Sequence, residues 1–423
     1  MPFCDKKCGY CSFFVVPKEG MDPQAKLIEG YVDGLLRDIT YWGDHYKKPE
    51  LKTLYFGGGT PGILGKETII KIIDAIGTHF DLTYLEELSI ELNPNPYDEI
   101  IDLVATLNKT YKDFPRIRYS FGIQSFDDSV LHASSRQYSF VWIQNFLRSL
   151  RSVKEWSNVF NLDFIAFGKW QRTKNDEYLF WDKERRERFE TLAHSGFVDS
   201  YSLYTLELFA WSQREKTKRK EIDGQSHLDT SKVPFETDQE KISTEFQRLK
   251  EAIYDAGFNR YELSNFTLPG KQSIHNTIYR TMWSYLGLWP SAASFLTGKY
   301  AENLPSLVNT LWPVSYDIWV NKWVRFTESP SIFWYTKESK IDPESLIFLN
   351  EKEYDIEKLF LALRTSRGVD NFSSYEKVLV QNRQSLVAQY AEAELLTYEN
   401  DKLILTDEWL DVYNSVVSEL LEL

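Results

Sequence analysis

Cys4, Cys8 and Cys11 are the only cysteines of the 423-residue chain, and they fall within eight consecutive positions of the opening stretch MPFCDKKCGYCSFF. An odd number of thiols in one short stretch does not make a disulfide framework. Asp5, Lys6 and Lys7 break any apolar run of signal-peptide type. The C-x3-C-x2-C spacing gathers three thiolates round one small inorganic centre and leaves a fourth coordination position without a protein ligand. A tetrahedral zinc would want a fourth Cys or His, and the nearest His in sequence is His45. A [4Fe-4S] cube held through three of its irons fits the spacing better, with zinc as the alternative. The open fourth iron is then the functional feature, because a substrate or cofactor can bind it directly.

The elements that must position these thiols follow in series. Short β-branched or aromatic runs occur at 51–56 (LKTLYF), 88–92 (LSIEL), 116–124 (RIRYSFGIQ), 158–167 (NVFNLDFIAF) and 200–208 (SYSLYTLEL), and amphipathic stretches such as 67–80 and 140–153 separate them. Strand and helix in alternation predict a parallel sheet, and repeated units of this length favour a partial barrel over an open doubly wound sheet. The run 51–56 ends in Gly57-Gly58-Gly59-Thr60-Pro61, a turn almost free of side chains that allows close backbone approach. It is not a Walker loop, because Thr60 stands five residues before Gly65 and Glu67 follows Lys66. Polar residues stand at or just after the later strand ends: Glu91, Gln124, Arg136 and Asp163. Taken singly, such residues are more often helix caps or solvated loop positions. Barrel active sites collect at this end of the strands.

The charge balance is −13, which argues against a broad phosphate-binding surface, though not against a local basic patch, and against nucleic acid as partner. The weakly polar stretch 285–296 contains Pro290 and is shorter than the roughly 20 residues a membrane helix needs. No integral membrane segment and a cytoplasmic location are expected. Residues 211–244 are polar and aperiodic and mark a loop or insertion, with Thr237 and Glu240 at capping-box spacing for the next helix. Towards the end, helical patterns, a hairpin with its turn at Glu399, Asn400 and Asp401, and a last helix suggest a winged-helix-like module; its acidic last helix favours packing over DNA reading.

The cysteine motif with Tyr10 just before the last thiol resembles the radical S-adenosylmethionine (SAM) superfamily. PFCDKKCGYCSF, GGGTP, the stretch 261–295 (YELSNFTLPGKQSIHNTIYRTMWSYLGLWPSAASF) and LALRTSRGV (361–369) are similar to the branch containing the oxygen-independent coproporphyrinogen dehydrogenases (HemN) and the related haem chaperones (HemW). The resemblance spans essentially the whole chain. It implies a partial parallel (β/α)6 barrel over 1–240, a linking region over 241–350, and the winged-helix-like module over 351–423. Its implied cofactors are a [4Fe-4S] cluster on Cys4, Cys8 and Cys11, and SAM, which the reduced cluster cleaves to a 5′-deoxyadenosyl radical. Tyr10, Gly58, Gly59, Thr60, Glu91, Gln124, Arg136 and Asp163 match positions used around the cluster and SAM, and no catalytic residue is assigned.

Family members carry a first strand before PFC, so the first barrel strand is expected to be truncated here. The family's GLPG turn is replaced by AFGKW (166–170), and Trp289 and Ala293 stand where Gly and His are usual. Phe13 takes the place of a further cysteine found in the decarboxylating enzymes, which favours the chaperone side. There an HNxxYW motif is associated with haem; here His275 is kept and Arg280 replaces the Trp. The expected function is haem binding and transfer to an acceptor protein, with an electron donor as second partner. The alternatives are oxidative decarboxylation of coproporphyrinogen III and a degenerate, inactive relative.

Overall fold

The computed structural model describes residues 1–17, 24–168, 171–172, 178–179, 183–207, 219–222, 225–228, 238–304, 323–327, 341, 345–380 and 383–421. They fall into two compact units interleaved in sequence: residues 1–28, 50–259 and 264–272, and residues 29–49, 260–263 and 273–423. Lys169, Trp170 and most of the polar insertion lie outside the described residues.

The first unit begins with two short strands, β1 (Phe3–Cys4) and β2 (Val16–Pro17), paired in parallel. Five strands, β3 (Thr53–Phe56), β4 (Glu87–Leu92), β5 (Ile117–Gln124), β6 (Val159–Ala166) and β7 (Ser200–Thr205), then pair in sequence order, all parallel. β8 (Asn265–Thr267) runs antiparallel to β7. The sheet is the parallel α/β arrangement expected of the barrel, with an antiparallel strand added beside β7.

Period-two alternation gives this sheet two different faces. Outward residues such as Leu88, Ile90, Phe121, Phe160, Leu162 and Leu203 are buried. Covering helices Gly65–His79, Tyr97–Thr110 and Phe140–Ser152 supply stripes of Ile69, Ile72, Ile73 and Ile76, of Leu103, Val104 and Leu107, and of Ile143, Phe146 and Leu150. The inward residues are polar, and the register aligns them in rows. Glu91 is opposite Ser120, Ser120 opposite Asn161, and Asn161 opposite Ser200; one step on, Gly122 is opposite Asp163, Asp163 opposite Ser202, and Ser202 opposite Asn265. Parallel sheets covered on both faces normally read as continuous apolar runs. Here polar residues fill the inner face and satisfy one another.

In the second unit, a three-stranded antiparallel sheet joins Ala293–Thr297, Trp323–Thr327 and Ile347–Leu349. The helix Gln24–His45 packs here through Trp42, whose ring stacks on Phe326 at 6.0 Å, and Tyr46 OH donates to Tyr300 O at 3.0 Å. From Asn350, whose capping box with Glu353 starts the helix Glu351–Ala362, the chain runs through strand Val369–Asp370, helix Arg383–Glu392 and the hairpin Leu396–Glu399/Lys402–Leu405. Leu359, Leu363, Phe372, Val378, Leu403, Trp409 and Leu420 share its core. The hairpin turn is Asn400-Asp401 with φ of 52° and 61°, the two-residue turn whose twist suits a hairpin.

The helix Gln239–Asp255 is capped by Asp238, whose carboxylate accepts from Glu240 N at 3.0 Å. The expected capping box one residue earlier names Thr237, outside the described residues. Among the described residues no helix is long and apolar enough to cross a membrane.

Candidate functional site

The cysteine loop is clamped from both sides. Val16 N donates to Pro2 O at 2.6 Å where β1 meets β2, and within the loop Cys11 N donates to Cys8 O at 3.1 Å. On the other side the glycine turn after β3 takes hold: Gly59 N donates to Met1 O and Thr60 N to Phe3 O, both at 2.7 Å, and Thr60 Oγ1 lies 3.5 Å from Cys4 Sγ. A Cβ on Gly59 would stand 2.6 Å from Phe3 O and 2.8 Å from Met1 O, so a side chain there would push the cysteine strand away from the turn that holds it. Gly58 N donates to Glu91 Oε2 at 2.9 Å, and Tyr55 OH donates to the other carboxylate oxygen. The turn therefore spends its N–H groups on positioning Cys4 and Glu91.

Tyr10 and Arg136 meet over the ends of the middle strands. Arg136 Nη2 donates to Tyr10 OH at 3.0 Å and Nη1 to Asn93 Oδ1 at 2.9 Å. The guanidinium lies 6.0 Å from the Tyr138 ring, and Tyr138 OH donates to Gly122 O at 2.9 Å. Tyr10 also meets Phe167 edge-on at 5.8 Å. The register shifts between Gly122 and Gln124, and Gln124 takes φ 70°; its amide folds back so that a Cβ on Gly122 would lie 2.8 Å from Nε2. Burial pushes the Tyr10 hydroxyl well above its ordinary pKa and that of Tyr138 up to about 12, so both stay neutral. Burial opposes the charge on Arg136, yet its pKa is raised, with the Tyr10 hydroxyl accepting a hydrogen bond from it. Arg136 Nε is buried without a hydrogen-bond partner among the described residues.

Asp163 sits in the inward polar network. Ser120 Oγ donates to both of its oxygens at 3.1 and 3.0 Å, and Asn161 Nδ2 to Oδ1 at 2.7 Å. Burial raises its pKa to about 6; the Ser202 hydroxyl opposes the rise, the Glu91 carboxylate adds to it, and Arg118 opposes it. The pair of inward carboxylates suits a donor-rich ligand, because ribose hydroxyls or an ammonium would relieve their mutual repulsion.

The donor set fits an iron-sulfur cube. All three thiols are free and partly exposed. Among the described residues no three Cys, His, Asp or Glu side chains converge on one point as a single metal ion would need. A cube reached through three separate irons tolerates wider spacing. Burial pushes Cys4 up to about 11 and raises Cys11, with Cys8 adding to both, so cluster assembly must displace protons from these thiols.

The structure thus brings Cys4, Cys8, Cys11, Tyr10, Gly58, Gly59, Thr60, Glu91, Gln124, Arg136 and Asp163 into the first unit, at or beside the C-terminal strand ends. His275 lies in the second unit, half-buried in the first turn of helix Ile274–Arg280, which Ser273 caps by accepting from Asn276 N at 3.2 Å. Phe13, close behind the third cysteine, is 59% exposed. Sequence reasoning missed Tyr55, Asn93, Tyr138 and the inward network of Ser120, Asn161, Ser202 and Asn265. The signal available was the polar alternation in SIEL, YSFGIQ, NLD and SYS.

A model of the radical SAM superfamily matches residues 1–165. Heme chaperone HemW of Lactococcus lactis subsp. lactis is 25% identical over 430 aligned positions, covering 100% of this chain and 96% of that protein. Heme chaperone HemW of Synechocystis sp. is 29% identical over 311 positions, 71% of this chain and 65% of that protein. Among solved structures, coproporphyrinogen III oxidase (HemN) from Escherichia coli superposes with a TM-score of 0.68 at 17% identity, covering 99% of this chain and 88% of that one. That similarity carries the fold.

Proposed function

We propose that this chain, a member of the radical SAM superfamily in its HemN and HemW family, is a haem chaperone that binds haem and hands it to an acceptor protein. The observation that carries this reading is the clamped cysteine loop, held by Gly59 and Thr60 beside a row of polar strand ends. Two further features support it: relatives named as haem chaperones align along the chain, and Phe13 occupies the place of the extra cysteine of the decarboxylating branch.

Cys4, Cys8 and Cys11 would hold a [4Fe-4S] cluster, which supplies one-electron reduction of SAM bound at its open iron. Around it the chain's own residues bind and orient. Arg136 offers a guanidinium edge for the methionyl carboxylate, steadied by Asn93 and Tyr10. Glu91 and Asp163 accept from ammonium or hydroxyl groups, while Gln124 borders the same strand end. Phe167 and Tyr10 exclude water from one side. His275 in the second unit would ligate the haem iron.

The test has two arms. Anaerobic reconstitution followed by EPR of the reduced protein, with and without SAM, is expected to give a [4Fe-4S] signal that shifts on SAM addition. Haem titration is expected to give a Soret band that His275→Ala moves or abolishes. No cluster signal sinks the radical SAM chemistry, and turnover of coproporphyrinogen III by the reduced protein would replace the chaperone reading with the decarboxylase.

A further inference from the structure

Two arginines of the second unit stand near one buried carboxylate, and only one of them pairs with it. Arg280, the last residue of helix Ile274–Arg280, donates through Nε to Glu262 Oε2 at 2.9 Å, and its Nη2 lies 2.9 Å from the same oxygen. The Glu262 side chain is 4% exposed. The backbone brings a second guanidinium alongside: Leu263 N donates to Arg364 O at 2.8 Å, and Glu262 bridges Thr365 in antiparallel register. Arg364 stacks over Phe360 at 5.7 Å and Tyr413 at 5.1 Å. Among the described residues its Nε is buried without a hydrogen-bond partner and it makes no ion pair, its side-chain hydrogen bond being to the neutral Tyr413 hydroxyl. Burial and then the neighbouring Arg280 both pull the Arg364 pKa down, as expected where positive charge exceeds negative. Stacking engages the faces of a guanidinium, whereas its donors lie in the plane, where a carboxylate is bound.

We propose that Arg280 and Arg364 form a carboxylate-binding site, which, resting on the haem reading above, takes a propionate of the porphyrin held by His275. His275 and Arg280 are five residues apart on one helix, about 7.5 Å along its axis, the scale of half a porphyrin with its propionate arm. Tyr279 follows His275 by four and so shares its face. The Arg280 guanidinium is 5.2 Å from the Tyr279 ring, which in turn lies 5.2 Å from Tyr285. An aromatic surface between an imidazole and a guanidinium suits a flat apolar ring that carries acids on one edge.

The experiment titrates haem and haem dimethyl ester into the full-length protein and follows the Soret band. Wild type is expected to bind the diacid roughly tenfold or more tightly than the ester, the scale of one bidentate charged pair. Arg280→Gln and Arg364→Gln should lower diacid affinity about tenfold, leaving ester affinity and Soret position unchanged, and Arg280→Lys should recover part of the loss. The wild-type comparison needs no variant to fold. Equal affinity of wild type for diacid and ester, or variants that weaken both alike, would overturn the site while leaving haem binding standing. Absence of a Soret shift with either porphyrin would overturn the haem reading and the propionate assignment with it.

Discussion

Asp163→Asn isolates the electrostatics of the inward network. Burial lifts this carboxyl from its ordinary 3.8 to about 6. A folded pKa above the unfolded one means that its contribution to stability is complete below about 4 and is lost as pH rises through about 6. A rise of roughly two pK units, at about 1.4 kcal/mol each, sets a ceiling of about 3 kcal/mol. Because the carboxyl faces the partly open inside of the sheet, we expect about 1–3 kcal/mol in practice. Asn keeps an acceptor for the Ser120 hydroxyl and removes the charge. The apo variant should therefore be more stable than wild type by that amount at pH 7.5 and nearly equal at pH 4. Urea titration read by hydrogen exchange of the β5 to β7 amides isolates the first unit, since a chain of two units need not unfold in one step. Glu91→Gln should shrink the difference, because the Glu91 carboxylate is one cause of the rise. If Asp163→Asn shifts stability equally at both pH values, or lowers it at pH 7.5, the network holds Asp163 as an ordinary carboxylate and the reasoning fails.

Gly59→Ala drives a Cβ to 2.6 Å from Phe3 O and should cost the loop its two backbone bonds, abolishing iron loading while circular dichroism stays near native; Gly77→Ala, where the nearest atom would be 3.4 Å away, should load iron normally. Arg136→Lys loses the fork that spans Asn93 and Tyr10, so calorimetry on reconstituted protein should show SAM affinity reduced by roughly tenfold or more. In the apo-protein, alkylation of Cys4 followed by mass spectrometry should be slow at pH 8 and rise towards pH 11, as its raised pKa requires; fast labelling at pH 7 would contradict the burial assigned to it. Arg260 is 4% exposed and paired to Asp407 and Asp411 at 2.9 and 2.8 Å, so Arg260→Gln should destabilise the second unit by about 3–5 kcal/mol, read by its urea midpoint.

Much of this protein is legible in local patterns. Three clustered thiols restrict the chemistry by themselves, because ligand type and spacing are covalent facts. The order of strands and helices and the tight turn at Asn400-Asp401 follow from periods and turn residues that act over a few positions. Helix starts are less exact: Asp238 caps Gln239–Asp255, and a polar run that holds several good capping residues does not single one of them out.

Long-range pairing decided the rest. That Gly58 and Gly59 serve Glu91 and the cysteine strand, that Tyr55 and Tyr138 join the site, and that Asn161 connects Ser120, Asp163 and Ser202 depends on which strands stand side by side. No local period encodes the partner of a parallel strand, since its neighbour lies one helix away in sequence. Likewise helix Gln24–His45 is read from its own amphipathic pattern only as a helix, and tertiary packing on Phe326 makes most of it part of the second unit. Residue chemistry along the chain determined what could be bound; the register between distant strands decided which side chains face it and at what pKa.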